Sequence, residues 1–143
     1  MNLARAIEIA VSAHKGQVDK GGNPYILHPL RVMMSLDTEQ EMIVGVLHDV
    51  VEDSEWTFDV LKTDGFSDEI IEALNSVTKM ASEKGTDDGY FQFVKRAKQN
   101  PIGAKVKIAD LKDNLDVLRV PELGEDDLKR INKYKKSLEI LRD

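Results

Sequence analysis

Apolar residues recur at steps of three and four residues along almost the whole chain, and no other feature of the sequence constrains the fold as strongly. In the first segment this period is followed by Leu3, Ile7, Ala10, Val11 and His14. Such a period places the side chains on one face of an α-helix. Runs that alternate apolar and polar residues, as half-buried strands require, are absent from the sequence. The sequence therefore predicts an all-α fold that begins with an amphipathic helix.

Capping residues and helix breakers divide the chain into seven predicted helices. The second is expected to begin at Pro29, where a missing backbone N–H costs little. The third is expected to run through TEQEMIVGVLHDVVED, with Thr38 as N-cap and Glu41 completing a capping box. Ser67 caps the fourth, and YFQFVKRAKQ and PIGAKVKIADLKDNLDVLRV form the next two. The last, GEDDLKRINKYKKSLEILRD, has an apolar stripe of Leu128, Ile131, Tyr134, Leu138 and Leu141.

Length and charge limit what such a helical chain can do. The 143 residues, 41% of them hydrophobic, are expected to form a single domain over positions 1–143, a compact helical bundle. A net charge of −6 disfavours nucleic-acid binding, which usually needs a basic surface. The amphipathic first segment predicts neither a signal peptide nor a membrane span. The absence of cysteine excludes disulfides and thiolate metal sites and favours an intracellular, cytoplasmic location.

The stretch VGVLHDVVEDSEWT, residues 44–57, contains a histidine and four carboxylates but no lysine or arginine. On a helix with about 100° per residue, His48, Asp49, Glu52 and Asp53 share one face, and Gly45 on that face leaves room for a close approach. Carboxylates three and four residues apart repel each other by a few tenths of a kcal/mol per pair unless a cation lies between them. A solvated polar face is the simplest interpretation, and a bound cation is the alternative.

Two further ligand-type residues lie in other segments of the chain. His28 lies at a predicted helix start, and Asp110 lies in an apolar helical stretch, where a buried carboxylate needs a cation or several donors. Taken alone, His28 fits a core or capping histidine, and Asp110 fits an ion pair with Lys107. Together with His48 and Asp49 they form a set of nitrogen and oxygen donors suited to a divalent ion such as Mn²⁺, Fe²⁺ or Zn²⁺.

The order H…HD…D in a helical chain resembles the ligand order of the HD-domain metal phosphohydrolases. The motifs HxGQ, PYxxHP, LHDVVED and KxADLxDN are similar to those of one branch, the hydrolase domain of the RelA/SpoT alarmone enzymes and their small relatives of the metazoan SpoT homologue type. The resemblance extends over most of the chain, from Ala13 to Leu118. It implies that the ligands of the metal are His28, His48, Asp49 and Asp110.

The resemblance also implies which residues act on the substrate. Glu52 and Asp53 are expected to be the acidic pair that orients the attacking water, takes its proton or protonates a leaving oxygen. The metal is expected to be Mn²⁺, with Fe²⁺, Zn²⁺ or Mg²⁺ as alternatives. Substrate contacts are expected from Lys20, Tyr25, Lys107 and Asn114. Each has an ordinary alternative, since Tyr25 fits a wall or core residue, Lys107 a charge partner of an aspartate, and Asn114 an exposed or capping residue.

At two places the sequence departs from the family pattern. The family has an arginine that is expected to stack on guanine where this chain has Asp19, directly before Lys20. The family motif ADRxHN reads ADLKDN, with Leu111 and Asp113 at the arginine and histidine positions. Because an aspartate cannot stack as a cation and repels phosphates, weak guanine selectivity is expected.

The resemblance implies hydrolysis of a phosphate or pyrophosphate ester of a nucleotide, with a (p)ppGpp-type 3′-pyrophosphohydrolase as the leading assignment. One alternative is a phosphomonoesterase acting on nucleotides or dinucleotide cofactors, and another is a non-catalytic nucleotide sensor that keeps the metal. The presence of Glu52 and Asp53 speaks against the sensor, because binding alone needs no water activation. The expected partner is a small phosphorylated nucleotide rather than nucleic acid or a membrane, and the sequence leaves a homo-oligomer open.

Overall fold

The computed structural model describes residues 2–143, which form nine α-helices. No β-strand occurs among these residues, where an isolated bridge joins Val18 to Pro24. The all-α prediction is therefore confirmed. None of the described helices is both long and apolar enough to cross a membrane. The helices are α1 (Leu3–Ala13), α2 (Leu27–Met34), α3 (Glu39–Leu47), α4 (Val50–Asp53), α5 (Phe58–Thr63), α6 (Asp68–Ser76), α7 (Asp87–Lys98), α8 (Pro101–Asn114) and α9 (Glu125–Arg142).

Short polar side chains cap the starts of most helices. Thr38 accepts the backbone N–H of Glu41 at the start of α3, and the Glu41 carboxylate accepts the N–H of Thr38, as the predicted capping box requires. Ser67 accepts the N–H of Ile70 at the start of α6. The caps of α1, α5, α7 and α8 are Asn2, Thr57, Thr86 and Asn100. The starts predicted for α3 and α6 are therefore correct.

The helix predicted over TEQEMIVGVLHDVVED is wrong as one element, because it is divided at His48 and Asp49 into α3 and α4. At this break the Gly45 carbonyl oxygen lies 2.6 Å from Nδ1 of His48 and accepts its N–H. A Cβ at Gly45 would lie 2.7 Å from Cδ1 of Leu36 and 3.4 Å from Cγ1 of Val32. The absence of a side chain at Gly45 therefore allows α2 and the residues that follow it to pack closely against α3.

Other helix boundaries differ from those predicted, and one short helix was not predicted. α2 begins at Leu27, so that Pro29 occupies its third position, where an N–H would have no intrahelical acceptor either. α8 ends at Asn114, and the chain continues as a short 3₁₀ turn, Val117–Arg119. α5 follows an N-cap at Thr57, and its six residues are too few for an apolar period to reveal it.

α8 lies between two hydrophobic clusters and places a carboxylate in the middle of the bundle. Val106 on α8 belongs to the larger cluster, to which α1, α2, α3 and α6 contribute most of the other residues. Leu111 belongs to the smaller cluster with α7 and α9. Asp110 is buried between these contacts. Two residues of the predicted apolar stripes, Val11 and Leu128, are 49% and 52% exposed, so these stripes are only partly buried.

Gly103 marks a close approach of α8 to α6. A Cβ at this position would lie 2.0 Å from Oγ of Ser76 and 3.3 Å from the carbonyl oxygen of Ala97. Ser76 is buried, and its hydroxyl donates to the Ala73 carbonyl (2.6 Å), so it cannot move into solvent. We expect Gly103→Ala to lower the free energy of unfolding by about 1–3 kcal/mol, the usual range for overpacking. In a domain of this size the Tm would fall by roughly 3–10 °C.

Ser76→Ala supplies the matched control for this packing prediction. In the Gly103→Ala/Ser76→Ala double variant the clashing hydroxyl is absent, so much of the lost Tm should return. Both proteins are compared by thermal unfolding in the same buffer. The higher helix propensity of alanine alone would keep the Gly103→Ala protein at least as stable as the parent. That result would contradict the close approach of α8 to α6.

Candidate metal centre

His28 on α2, His48 at the α3–α4 break and Asp110 on α8 each place one ligand atom within 4.8 Å of the others, and Asp49 at the same break lies beside the two histidines. Nε2 of His28 lies 2.9 Å from Oδ1 of Asp110, and Nε2 of His48 lies 3.3 Å from the same oxygen. Oδ2 of Asp49 lies 3.1 Å from Nε2 of His48 and 3.8 Å from Nε2 of His28. The structure thus brings together the four residues that the sequence predicts as ligands, from three separate segments.

Hydrogen bonds at the far side of each ring turn both imidazoles toward this point. Nδ1 of His48 donates to the Gly45 carbonyl, and Nδ1 of His28 lies 2.6 Å from Oδ2 of Asp113. When both rings are neutral, Nδ1 carries the proton and the Nε2 lone pairs face the two carboxylates. Four acceptors then face one another in a buried site, and a cation satisfies all of them. The donor set therefore fits a divalent metal held by nitrogen and oxygen.

Protons offset the negative charge of this site when no metal is bound. Burial opposes ionisation of Asp110, yet the Lys107 ammonium and the two imidazoles hold its pKa well below the ordinary value. Burial also opposes the charged form of His48, but the Asp49 carboxylate raises the pKa of that ring well above its usual range. The pKa of His28 is raised by its carboxylate neighbours, again against the effect of burial. A metal must therefore compete with protons, and its affinity falls at acid pH.

Two of the residues predicted to bind substrate contact Asp110. Nζ of Lys107 lies 2.9 Å from Oδ2 of Asp110, and Nδ2 of Asn114 donates to Oδ1 (3.2 Å). Lys107 is only 6% exposed, and its ammonium lies 5.0 Å from the ring centroid of Tyr90 and 4.6 Å from that of Phe93. Lys107 is thus a charge partner of an aspartate, which was the alternative to substrate binding. Lys107 and Asn114 both orient Asp110. Contact of either with a substrate stays a prediction.

The predicted acidic pair, Glu52 and Asp53, lies on α4 and borders the same depression as the ligands. Oε1 of Glu52 accepts the backbone N–H of Lys79 (2.9 Å), so one of its oxygens is engaged. Burial and the neighbouring charges of Asp49 and Glu52 raise the pKa of Asp53 to about 6. The pKa of Asp53 therefore lies close to neutral pH, as a group that transfers protons at neutral pH requires.

Gln17 of the HxGQ motif ties the end of α1 to the acidic pair. Its side-chain N–H donates to the carbonyl oxygen of Asp53 (2.9 Å), and its Oε1 lies 2.9 Å from Nδ1 of His14. Burial lowers the pKa of His14, so the neutral ring donates from Nδ1 to Gln17. Nε2 of His14 is buried and has no hydrogen-bond partner among residues 2–143, so the ring is only half satisfied. The sequence showed the motif but gave Gln17 no role.

Tyr25 stands between the predicted ligands and a cavity of about 450 Å³. Its hydroxyl donates a hydrogen bond to Asp49, and its ring centroid lies 5.0 Å from that of His14 and 5.7 Å from that of His28. Lys20 also lines the cavity, and partial burial lowers its pKa. The cavity has the size of an ordinary small-molecule site, and two of the predicted substrate residues, Tyr25 and Lys20, line it.

Asp19, at the position of the family arginine, has a structural role in the loop before α2. Its Oδ1 accepts the N–H groups of Gly21 and Asn23, both at 2.9 Å, as aspartates in turns commonly do. The cavity is lined by three arginines that the sequence did not single out. They pair with aspartates, Arg31 with Asp113, Arg119 with Asp116 and Arg130 with Asp127.

No protein-family model matches the chain. Among curated proteins, it is 31% identical over 147 residues to a GTP pyrophosphokinase of Streptomyces coelicolor. It is 30% identical over 125 residues to a guanosine-3′,5′-bis(diphosphate) 3′-pyrophosphohydrolase of Aquifex aeolicus. The two matches cover 97% and 82% of this chain but only 16% and 18% of those relatives. The chain therefore spans less than a fifth of the length of these proteins.

Among solved structures, the chain matches a metazoan orthologue of SpoT that is described as hydrolysing ppGpp and playing a role in starvation responses. The TM-score is 0.82 with 25% sequence identity, and the match covers 98% of this chain and 85% of the other. The sequence matches and the structural match agree with the motif resemblance, and the structure assembles the residues of the H…HD…D pattern. By sequence and by fold, the chain is therefore similar to the hydrolase domains of the RelA/SpoT proteins, and the resemblance predicted from the motifs is confirmed.

Proposed function

We propose that this domain is a metal-dependent phosphohydrolase that removes the 3′-pyrophosphate of a (p)ppGpp-type nucleotide. The observation that carries the proposal is the convergence of His28, His48, Asp49 and Asp110 beside a cavity of about 450 Å³. The curated hydrolase of Aquifex aeolicus and the solved metazoan orthologue, both named for this chemistry, support it. Mn²⁺ is the proposed ion, because mixed imidazole and carboxylate donors suit it better than they suit Mg²⁺.

Each residue of the site has a part in this reaction. An ion held by His28, His48, Asp49 and Asp110 would supply positive charge and would lower the pKa of water at the site. Asp53 takes the proton of the attacking water, and the oxygen of Glu52 that does not bind Lys79 orients this water. Lys107 keeps Asp110 ionised and in place.

The cavity accounts for binding of the nucleoside part. It shares Tyr25, His28, Asn114 and Tyr134 with the depression that holds the acidic pair, so a base in the cavity leaves the ribose close to the metal centre. Lys20 at the cavity meets a phosphate. The proposed partner is thus a small phosphorylated nucleotide. The cytoplasmic location, the oligomeric state and the lack of nucleic-acid or membrane binding stay predictions from the sequence.

The test is turnover of a nucleotide panel by the purified protein with Mn²⁺. The panel holds guanosine tetraphosphate, its adenine analogue, 3′- and 2′-phosphorylated nucleotides and a phosphorylated dinucleotide cofactor. Release of pyrophosphate from the 3′ position is expected. The Glu52→Gln protein should release much less pyrophosphate from the same nucleotides. Release of phosphate only, from the monophosphorylated compounds, would replace the proposal with a phosphomonoesterase. Tight binding without turnover of any compound would favour the sensor.

Asp19→Asn separates the charge of this residue from its role in the loop. An asparagine accepts the same N–H groups of Gly21 and Asn23, while the negative charge near the phosphates disappears. We expect the KM for guanosine tetraphosphate to fall by roughly two- to fivefold, the scale of one exposed charge pair, with an equal fall for the adenine analogue. The parent should prefer guanine by less than about thirtyfold, because it has Asp19 in place of the family arginine that is expected to stack on the base.

Asp19→Arg is the counterpart of this variant. It adds a guanidinium and should lower the KM for the guanine substrate more than for adenine, although the loop loses two hydrogen bonds. Steady-state kinetics of the three proteins on the two matched substrates provide the comparison. Tight, guanine-exclusive turnover by the parent would mean that another cavity residue recognises the base.

A further inference from the structure

Asp113 contacts the far nitrogen of a proposed metal ligand. Its Oδ2 lies 2.6 Å from Nδ1 of His28, while Nε2 of the same ring lies 2.9 Å from Oδ1 of Asp110. Asp110 and Asp113 are three residues apart on α8, so they project from one face of the helix. α8 therefore holds the His28 ring from both sides, with one carboxylate inside the metal centre and the other outside it.

Two arginines fix the position of the Asp113 carboxylate. Nε of Arg31 donates to Oδ1 (2.8 Å), and Nη2 of Arg31 lies 3.2 Å from Oδ2. Nη2 of Arg119 lies 3.4 Å from Oδ2 and donates to the backbone carbonyl of Asp113 (2.8 Å). The Asp113 side chain is 11% exposed. With cations on its other lone pairs, this carboxylate is an ionised, immobile acceptor for the His28 N–H.

The two imidazoles of the site differ in what they meet at Nδ1. His48 meets the neutral carbonyl of Gly45, whereas His28 meets the charged carboxylate of Asp113. A carboxylate at this nitrogen fixes the tautomer of a ligating histidine and makes its other nitrogen a stronger donor to a metal. Asp113 stands where the family motif has a histidine, so the carboxylate at this position is a departure from the family pattern.

We propose that Asp113 is a positioning residue that holds His28 in its Nδ1–H form, aims Nε2 into the metal centre and so strengthens metal binding. The inference rests on the metal centre of the proposed function. The competing explanation is that Asp113 only ties α2 to α8 through its ion pair with Arg31. The two explanations differ in what happens when Arg31 is changed and the His28 contact remains.

The test compares Mn²⁺ affinity, measured by competition with a chelator, in the parent and three variants. Asp113→Ala should weaken binding by about 10- to 100-fold, the usual loss for such outer carboxylates. Asp113→Asn still accepts the Nδ1–H, so its loss should be smaller. Arg31→Gln removes the ion pair with Arg31, but Arg119 still contacts Asp113 and the His28 contact remains, so the affinity should stay within about threefold of the parent.

A second readout reports the His28 ring itself. Nitrogen NMR of the Zn²⁺-loaded protein, which is diamagnetic, should show a single Nδ1–H tautomer for His28 in the parent and in Arg31→Gln. Asp113→Ala should broaden or shift the His28 resonances while those of His48 remain. Thermal unfolding of the metal-free proteins shows whether each variant folds. If Asp113→Ala does not fold, the comparison uses Asp113→Asn instead.

The outcomes separate this inference from the proposed function. Unchanged Mn²⁺ affinity in both Asp113 variants, with a parent that binds the metal, would overturn the inference and leave the metal centre intact. Equal losses in Asp113→Ala and Arg31→Gln, each matched by a fall in Tm, would replace it with the interhelical tie. A parent that binds no divalent ion would overturn the metal centre, and the role of Asp113 with it.

Discussion

Asp110→Asn is expected to reduce the bound metal from about one ion per chain to less than about a tenth of that value. Oδ1 of Asp110 lies within 3.3 Å of Nε2 in both His28 and His48, so it is the atom that most directly joins the two imidazoles. An amide in its place carries no charge and leaves Asp49 as the only carboxylate of the set. Elemental analysis after dialysis against a weak chelator measures the occupancy, and turnover should disappear with the metal.

Loss of folding must be separated from loss of the ligand, because Asp110 also neutralises the buried ammonium of Lys107. Removing one partner of a buried ion pair costs about 3–5 kcal/mol, so Asp110→Asn should also lower the Tm. The Lys107→Met/Asp110→Asn double variant removes the stranded charge and should recover stability without recovering metal. Asp68→Asn, an exposed carboxylate paired with Lys62, should change neither property. Full occupancy in either Asp110 variant would remove Asp110 from the site.

The helical period predicted those elements whose buried face is determined by their own sequence. In α6 the cap at Ser67 and the burial of Ile70 and Leu74 follow the expected pattern. The same period placed Val11 and Leu128 on the apolar stripes of their helices, yet both side chains are exposed. Whether a residue near a helix end is buried depends on which other helix lies over it, and that is a property of the tertiary structure.

The break between α3 and α4 had no sequence signal. His48 and Asp49 both keep right-handed helical dihedral angles, and neither a glycine nor a proline stands at the break itself. The contact that distinguishes it is a side-chain hydrogen bond from His48 to Gly45 within the same turn. Such a bond depends on the ring orientation that the other ligands require, so it follows from the site rather than from local propensity.

The proposed ligands were predictable because few side chains bind divalent metals and because their order is specific. The supporting contacts were less accessible, since Arg31 and His28 meet Asp113 across 82 and 85 positions of sequence. One signal was available, namely that Asp113 follows Asp110 by three residues on the same predicted helix. That spacing places a second carboxylate beside the first, but it does not tell which ring nitrogen the second one meets.

Asp53→Asn is expected to lower kcat by about 100-fold or more, the usual scale for a general acid–base group, while metal content stays at the parental level. The pKa of Asp53 is raised to about 6 in the metal-free protein, and a cation at the centre would lower it. The parent should therefore lose kcat/KM at acid pH with an apparent pKa at or below 6. With Mn²⁺ kept saturating at every pH, so that loss of the metal does not lower activity, this acid limb should disappear in Asp53→Asn and persist in Glu52→Gln, whose side chain can still accept the N–H of Lys79.

The stability of the Asp53→Asn protein tells whether its lower kcat comes from the lost carboxylate or from misfolding. Because the pKa of Asp53 is higher in the folded chain than in an unfolded one, its contribution to stability is present below the unfolded pKa and is lost as the pH rises through about 6. Above that pH the metal-free Asp53→Asn protein should be as stable as the parent or slightly more stable. The gain in the free energy of unfolding should be less than about 1 kcal/mol, because the carboxyl group is partly exposed. An inactive variant with a lower Tm would point to misfolding. An active variant that keeps the acid limb would assign proton transfer to Glu52, whose replacement should then remove that limb.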